Sequence, residues 1–142
     1  MMLVRTFAAP SAVEGVGVFA AEPVKKGTLI WKQDPIFDRL VPAEWIESAA
    51  PAVQDFLRKY GYPAHDEPGM LVIETDNGRL MNHSDAPNTD FTKITEGYFI
   101  RDIAVGEEFL CDYNEFDPAF ELLPSLVAAH QGKPARRKVK AA

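Results

Sequence analysis

Residues 79–88 read RLMNHSDAPN, a short apolar pair that runs into a polar turn. Asn82, Ser84 and Asp85 can hydrogen-bond their own backbone, while Pro87 fixes φ and removes a backbone donor. These properties predict a rigid, irregular backbone that presents amide, imidazole and carbonyl groups. Such a segment can be an ordinary surface turn or a binding site for a polar small molecule, and on its own it does not decide between the two.

Two further stretches bear on that choice. Residues 97–113 read GYFIRDIAVGEEFLCDY, and residues 14–20 read EGVGVFA. The paired glycines near the start predict a hairpin or bulge that needs a positive φ. They do not form a phosphate-binding loop, because the Gly-x-Gly-x-x-Gly pattern is incomplete and no helix signal follows Gly17.

Taken in this order, the three stretches resemble the SET-domain family of protein lysine methyltransferases. Residues 82–88 match the family's Asn-His-Ser-x-x-Pro-Asn motif, and residues 106–113 match its Gly-Glu-Glu-Leu…Asp-Tyr motif. Residues 15–17 match its first glycine motif. The resemblance covers about residues 3–116, and the spacing of the two later motifs makes it specific.

The residues and the resemblance contribute different parts of the predicted fold. Many short strands, one helical region and no strand–helix alternation exclude a doubly wound parallel sheet. The resemblance implies an α+β, mostly β, SET-type β-clip fold of small curled sheets, with a C-terminal pseudoknot that brings the two later motifs together. We predict a SET domain over residues 1–130, with a helical insert at about 42–61 that Pro51 divides, and a basic, disordered tail over residues 131–142. Residues 62–69 are predicted to form a loop, and Glu96 and Gly97 a turn between two antiparallel strands.

The resemblance also implies a cofactor, S-adenosylmethionine, with S-adenosylhomocysteine as its product. Matching positions predict these cofactor-binding residues: Gly15, Val16, Gly17, Asn82, His83 and Tyr113. His83 would bind adenine mainly through its backbone. Tyr113 would in addition supply the catalytic hydroxyl, braced by Asp112 and Glu108.

Methyl transfer to an amine requires a neutral amine, an in-line approach and a site that excludes water. A free lysine, with a pKa near ~10.4, must first lose a proton. A narrow aromatic channel beside a positive sulfur disfavours the ammonium, and a tyrosine hydroxyl can accept from the amine. The resemblance places four residues along this channel: Tyr60, Cys111, Tyr113 and Phe116. Tyr62 is the alternative to Tyr60 on the wall that the helical insert forms.

The chain departs from the family pattern in two places. Asp85 stands where many relatives have cysteine, and no cysteine cluster follows Tyr113. We therefore predict a minimal form of the family, without its cysteine-rich region before the domain and without its zinc-bound flap after it. Phe116, Phe120 or a partner subunit in a homodimer would then cover the site. Cys111 replaces a larger aromatic residue, which leaves room for di- or trimethylation unless the thiol only fills core space.

Composition limits the partners and the location. The net charge is −6, yet residues 133–142 hold five basic residues and no acid, so the rest of the chain carries −11. An acidic body favours a basic, lysine-bearing protein as substrate and disfavours nucleic acid. No apolar run approaches the ~20 residues that cross a bilayer, and no signal peptide is recognised, which predicts a cytoplasmic protein or one exported to a host cell.

Three alternatives remain open at this stage. A catalytically silent SET-like module would bind a basic peptide without turnover. A metal-dependent enzyme of cupin type would need convergent histidines, and His65, His83 and His130 lack a suitable spacing, so no metal site is predicted. Residues 135–138 of the tail would, if they entered the groove, act as substrate or blocker.

Overall fold

The computed structural model describes residues 1–117, which form ten short strands, two α-helices and two 3-10 helices. The strands are β1 (Thr6–Pro10), β2 (Val16–Ala20), β3 (Leu29–Lys32), β4 (Arg39–Pro42), β5 (Gly61–Pro63), β6 (Met70–Ile73), β7 (Asn82–His83), β8 (Thr89–Asp90), β9 (Glu96–Phe99) and β10 (Leu110–Cys111). The helices are α1 (Trp45–Ser48) and α2 (Pro51–Tyr60), with 3-10 turns at Asn77–Leu80 and Tyr113–Glu115. Phe120, His130 and the predicted tail lie outside the described residues.

Within residues 1–117 the strands are distributed over four small sheets. β1 and β2 form an antiparallel hairpin, and Gly15 at its turn has a φ of +49°. The orders of the two three-stranded sheets are β3-β9-β8 and β4-β6-β5. β7 and β10 pair in parallel, although they are distant in the sequence. The mostly β fold of small sheets is therefore confirmed.

The helical insert follows the predicted pattern with a later start. Pro51 occupies the first turn of α2, where its missing N–H costs no hydrogen bond, and so it separates α2 from α1. The backbone N–H of Gly61 ends α2 by donating to Leu57 O. Pro42 does not begin the helix, because it is the last residue of β4 and pairs with Met70.

A predicted loop begins later than expected, and a predicted turn is wrong. Residues 64–69 do form a loop, but Tyr62 and Pro63 belong to β5, where Tyr62 pairs with Val72 of β6. Glu96 and Gly97 were expected at a turn, but both lie in β9. A Cβ on Gly97 would overlap the ring of Phe91, so this glycine permits close packing rather than a reversal of the chain.

The hydrophobic core contacts the C-terminal motif, residues 106–113. Trp31, Phe99 and Phe109 are its largest fully buried side chains, and the rings of Phe99 and Phe109 meet edge to face at 4.7 Å. Cys111 belongs to the same cluster, and Tyr113 packs against it. The C-terminal motif is therefore anchored in the core.

Candidate active site

The parallel pairing of β7 with β10 joins the two later motifs. Asn82 lies opposite Leu110, and His83 lies opposite Cys111. Beyond the end of β7, Ser84 N donates to Cys111 O at 3.0 Å and extends the contact. Two segments that are far apart in the sequence thus lie side by side and are joined by backbone hydrogen bonds.

Asn88 locks this pairing from the side. Its side chain is 2% exposed, its Nδ2 donates to Glu108 O at 2.7 Å, and its Oδ1 accepts from Leu110 N at 2.9 Å. Its backbone N–H donates to Leu110 O at 3.1 Å. A buried amide satisfied in this way costs little to desolvate and holds one geometry. Asn88, the last residue of the first motif, therefore connects the two motifs by hydrogen bonds.

Tyr113 is held against the first motif at both ends. Its backbone N–H donates to Nδ1 of His83 at 3.2 Å, and its hydroxyl donates to Met81 O at 2.5 Å. The rings of His83 and Tyr113 are 5.3 Å apart between centroids. Burial above all, together with the nearby carboxylate of Glu14, raises the pKa of the phenol well above its usual value, so Tyr113 stays protonated at neutral pH. The predicted contact between His83 and Tyr113 is present.

Asn82 connects the first motif to the glycine turn. Its Nδ2 donates to Glu14 O at 3.0 Å and to Oε1 of Glu108 at 2.9 Å, and lies 3.4 Å from Val16 O. A Cβ on Gly17 would overlap that same Oε1 of Glu108, which explains why glycine is needed there. Glu108, which was expected to brace Tyr113, is hydrogen-bonded to Asn82.

A row of aromatic rings continues from Tyr113 to one edge of the β4-β6-β5 sheet. The ring of Phe116 is 5.6 Å from that of Tyr113 and 5.2 Å from that of Tyr62, in an edge-to-face arrangement with the latter. Tyr60 instead packs on Phe56, 5.1 Å away. Tyr62 was predicted as the alternative to Tyr60 on the wall of the substrate groove, and its ring contacts Phe116.

A family model for the SET domain matches residues 15–114. The chain belongs to the SET-domain family. This match includes the glycine turn, both later motifs and Tyr113. A comparison with curated protein sequences finds no match.

Solved structures show the same fold at low sequence identity. The humanized mutant of the Chaetomium thermophilum Polycomb Repressive Complex 2 bound to the inhibitor GSK126 has a TM-score of 0.59 and 21% identity over 81% of this chain and 15% of that chain. The C. thermophilum complex in an autoinhibited conformation bound to S-adenosylmethionine has a TM-score of 0.61 and 20% identity, over 81% of this chain and 16% of that chain. This SET domain thus corresponds to less than a fifth of those chains.

A smaller protein gives a match over nearly its full length. A Plasmodium falciparum candidate histone methyltransferase has a TM-score of 0.55 and 21% identity, over 79% of this chain and 95% of that chain. Identities at this level demonstrate the fold and leave activity and substrate to be argued from the site.

The site of this SET domain is acidic. Burial raises the pKa of the Cys111 thiol, and the carboxylates of Glu74, Glu115 and Asp112 raise it further. Glu14, whose charge affects Tyr113, lies 3.9 Å from the ammonium of Lys59. Acidic groups concentrated at one site favour a cationic ligand.

The residues present fit a sulfonium cofactor with an amino-acid end. The carbonyls of Glu14 and Val16 and the carboxylate of Glu108 converge on Asn82, so acceptors for a cationic group are concentrated beside the glycine turn. The close approach at Gly17 keeps this corner free of a further side chain. Among residues 1–117 no group of three His, Cys, Asp or Glu side chains is placed to hold a metal, and no helix in that range is long and apolar enough to span a membrane.

Cys111 is 3% exposed, with its Sγ 3.9 Å from Asn82 O. It packs in the core, as the alternative of a space-filling thiol requires. The prediction that its small size permits di- or trimethylation remains to be tested by mass spectrometry of a methylated substrate, in which monomethyl-lysine alone would count against it.

Proposed function

We propose that this SET domain is a protein-lysine N-methyltransferase that moves a methyl group from S-adenosylmethionine to a lysine side chain of a basic protein. The observation that carries the proposal is the position of the Tyr113 hydroxyl, bonded to Met81 O directly before Asn82 and His83. This places a phenol at the junction of the two motifs. The acidic surroundings described above support a cationic substrate.

The glycine turn and the first motif would hold the cofactor. Gly15, Val16 and Gly17 would contact it through main chain, Asn82 would face its amino-acid end, and His83 would meet its adenine through backbone groups. When bound, S-adenosylmethionine supplies an electrophilic methyl group on a positively charged sulfur.

The chain's own residues would prepare the amine. The hydroxyl proton of Tyr113 is directed at Met81 O, and a hydroxyl oxygen also has two lone pairs that accept hydrogen bonds. An amine N–H that donates to this oxygen would be turned so that the nitrogen lone pair is directed away from Tyr113. The rings of Phe116 and Tyr62 would exclude water from the same channel.

Radiolabelled methyl transfer tests the proposal. Wild-type protein is incubated with labelled S-adenosylmethionine and a panel of basic proteins that includes core histones, ribosomal proteins and polylysine. We expect label in at least one of them, and a loss of about 10²-fold or more for Tyr113→Phe, because a positioned hydroxyl contributes on that scale. Tyr98→Phe is the matched control, since Tyr98 bonds Glu96 in β9 and takes no part in the site.

The alternative, a silent module that binds a basic peptide, is separated by calorimetry with S-adenosylmethionine. A methyltransferase binds this cofactor, whereas a silent module need not. Absence of both binding and transfer would refute the proposal. The substrate class, the homodimer, the lack of nucleic-acid binding and the cytoplasmic location stay predictions.

A further inference from the structure

Tyr62 and Glu74 form a buried polar pair at the end of the aromatic row. Glu74 follows β6 directly and is 8% exposed. Its Oε1 accepts from the Tyr62 hydroxyl at 3.1 Å, and its Oε2 has no hydrogen-bond partner among residues 1–117. Oε2 occupies the space that a side chain on Gly78 would need. A carboxylate with one unsatisfied oxygen is an expensive group to bury, which calls for an explanation.

Glu74 changes its protonation state near neutral pH. Burial raises the pKa of its carboxyl to about 7, and the charges of Asp76 and Asp38 act in the same direction. The Met1 amino group and the hydrogen bond from Tyr62 act against them. These are the titratable groups that influence the pKa of Glu74. The charge of Glu74 in turn raises the pKa of Cys111 and of Tyr113.

Tyr62 links this carboxyl to the channel. Its ring meets Phe116 edge to face, and Phe116 in turn contacts Tyr113. Because Tyr62 donates its only hydroxyl proton to Glu74, the lone pairs of the phenol oxygen are the part that a ligand in the channel can meet. The negative charge of Glu74 also raises the pKa of both Cys111 and Tyr113.

We propose that Tyr62 and Glu74 remove the proton that the substrate ammonium must lose before methyl transfer. This inference rests on the function proposed above. One N–H bond of the ammonium breaks and its proton forms an O–H bond on Tyr62. The earlier O–H bond of Tyr62 breaks and its proton forms an O–H bond on Oε1 of Glu74. The lysine changes from +1 to neutral, Glu74 changes from −1 to neutral, and Tyr62 is unchanged.

The acidities of the two partners make this transfer feasible. A free lysine, with a pKa near ~10.4, would not give its proton to a carboxyl with a pKa near 4. Desolvation in an aromatic channel and a neighbouring positive charge lower the pKa of the lysine, while burial has raised that of Glu74. Both shifts bring the pKa of the lysine and the pKa of Glu74 closer together. Tyr113 is left with a separate task, orienting the neutral amine.

The pH dependence of methyl transfer by Glu74→Gln tests this role, with the most readily methylated protein of the panel as substrate. The glutamine oxygen can still accept from Tyr62 but cannot take a proton. We expect kcat/KM of the wild type to rise through about pH 7, and the variant to be slower by about 10²-fold near pH 8. The deficit should shrink towards pH 10, where lysine loses its proton to water.

Three further variants accompany this measurement. Glu47→Gln makes the same change at an exposed residue paired with Arg58 and should leave the pH profile unchanged. Tyr62→Phe keeps the ring but removes the hydroxyl, and should reproduce the profile of Glu74→Gln. The double variant should lose no more than either single variant, because the two residues act in one step. Tyr62→Phe also serves if Glu74→Gln does not fold.

The outcomes are distinguishable. A wild-type profile for Glu74→Gln and Tyr62→Phe would overturn the inference and leave the methyltransferase proposal intact. An equal loss at every pH would also overturn it, because that pattern indicates a structural role. Binding of S-adenosylmethionine, measured by calorimetry, should be the same in all these variants, because the inferred role of both residues concerns the amine and not the cofactor. If the wild type neither binds S-adenosylmethionine nor transfers a methyl group to any protein of the panel, both proposals fail.

Discussion

The backbone N–H of Tyr113 donates to Nδ1 of His83 at 3.2 Å, across thirty positions of the sequence. Because Nδ1 accepts, a neutral imidazole carries its proton on Nε2, which lies 3.5 Å from Oδ1 of Asp85. The side chain of His83 therefore fastens the second motif to the first, whatever its backbone does for a ligand. Positioning of the Tyr113 phenol depends on this bond.

Removing the imidazole of His83, which accepts the backbone N–H of Tyr113, should weaken the contact between the two motifs. We expect His83→Ala to lower the free energy of unfolding by about 1–3 kcal/mol, because the N–H of Tyr113 is left without this partner. His83→Asn should recover most of the loss, since Oδ1 of asparagine lies near the position of Nδ1. Urea titration measures both. His65→Ala, on an exposed loop, is the control and should change stability little. Equal stability of His83→Ala and His65→Ala would contradict the role of this bond.

The parts of the site that sequence could predict are those carried by local motifs. Asn82, His83 and Tyr113 are recognisable because each stands in a motif whose other residues also match the family. Pro51 and Gly61 likewise mark the ends of helical segments through their own backbone chemistry. The residues that meet at this site were predictable for that reason.

The pairing of Tyr62 with Glu74 has no such signal. β5 is only three residues long and contains Pro63, so the local pattern resembles a loop. Its pairing with β6 is a tertiary choice, and the alternation of side chains that puts Tyr62 and Glu74 on one face follows only once the partner strand is known. Gly97 misled for a related reason, because glycine serves close packing as well as turns.

Gly17 offers a test of the glycine turn. A Cβ there would overlap Oε1 of Glu108, so Gly17→Ala should displace this carboxylate from Asn82. We expect a loss of about 1–3 kcal/mol in stability from overpacking, together with weaker binding of S-adenosylmethionine in calorimetry. Gly106→Ala is the matched control: its φ is +79° and no atom lies within 4 Å of its Cβ position, so it should cost stability through backbone strain and leave cofactor affinity unchanged. Unaltered affinity in Gly17→Ala would argue against the predicted cofactor contact.

The raised pKa of Glu74 also predicts how the free energy of unfolding changes with pH, and this can be measured without an activity assay. The folded carboxyl has a pKa of about 7, against 4.5 as its ordinary value. Below pH 4.5 both states hold the proton, and the contribution to stability is fully present. As pH rises to 7, the unfolded chain releases the proton while the folded protein keeps it, so stability falls by roughly 3 kcal/mol.

Glu74→Gln removes this titration. We expect the stability of the variant, relative to the wild type, to increase by roughly 3 kcal/mol between pH 4 and pH 8 in urea titrations. Glu47→Gln should show no such trend, because that carboxylate is exposed. Parallel stability curves for the wild type and Glu74→Gln would mean that Glu74 titrates normally, and the inferred proton acceptor would lose its electrostatic basis.

Cys111 provides a probe of how firmly the junction is closed. It is the only cysteine of the chain, it is 3% exposed, and burial raises the pKa of its thiol. Since the thiolate is the reactive form, reaction with a disulfide reagent should need local opening of β10. We expect labelling of the folded protein to be slower by about 10³-fold or more than in urea. His83→Ala should speed the labelling, whereas His65→Ala should not, and a fast wild-type reaction would show that the paired motifs open readily.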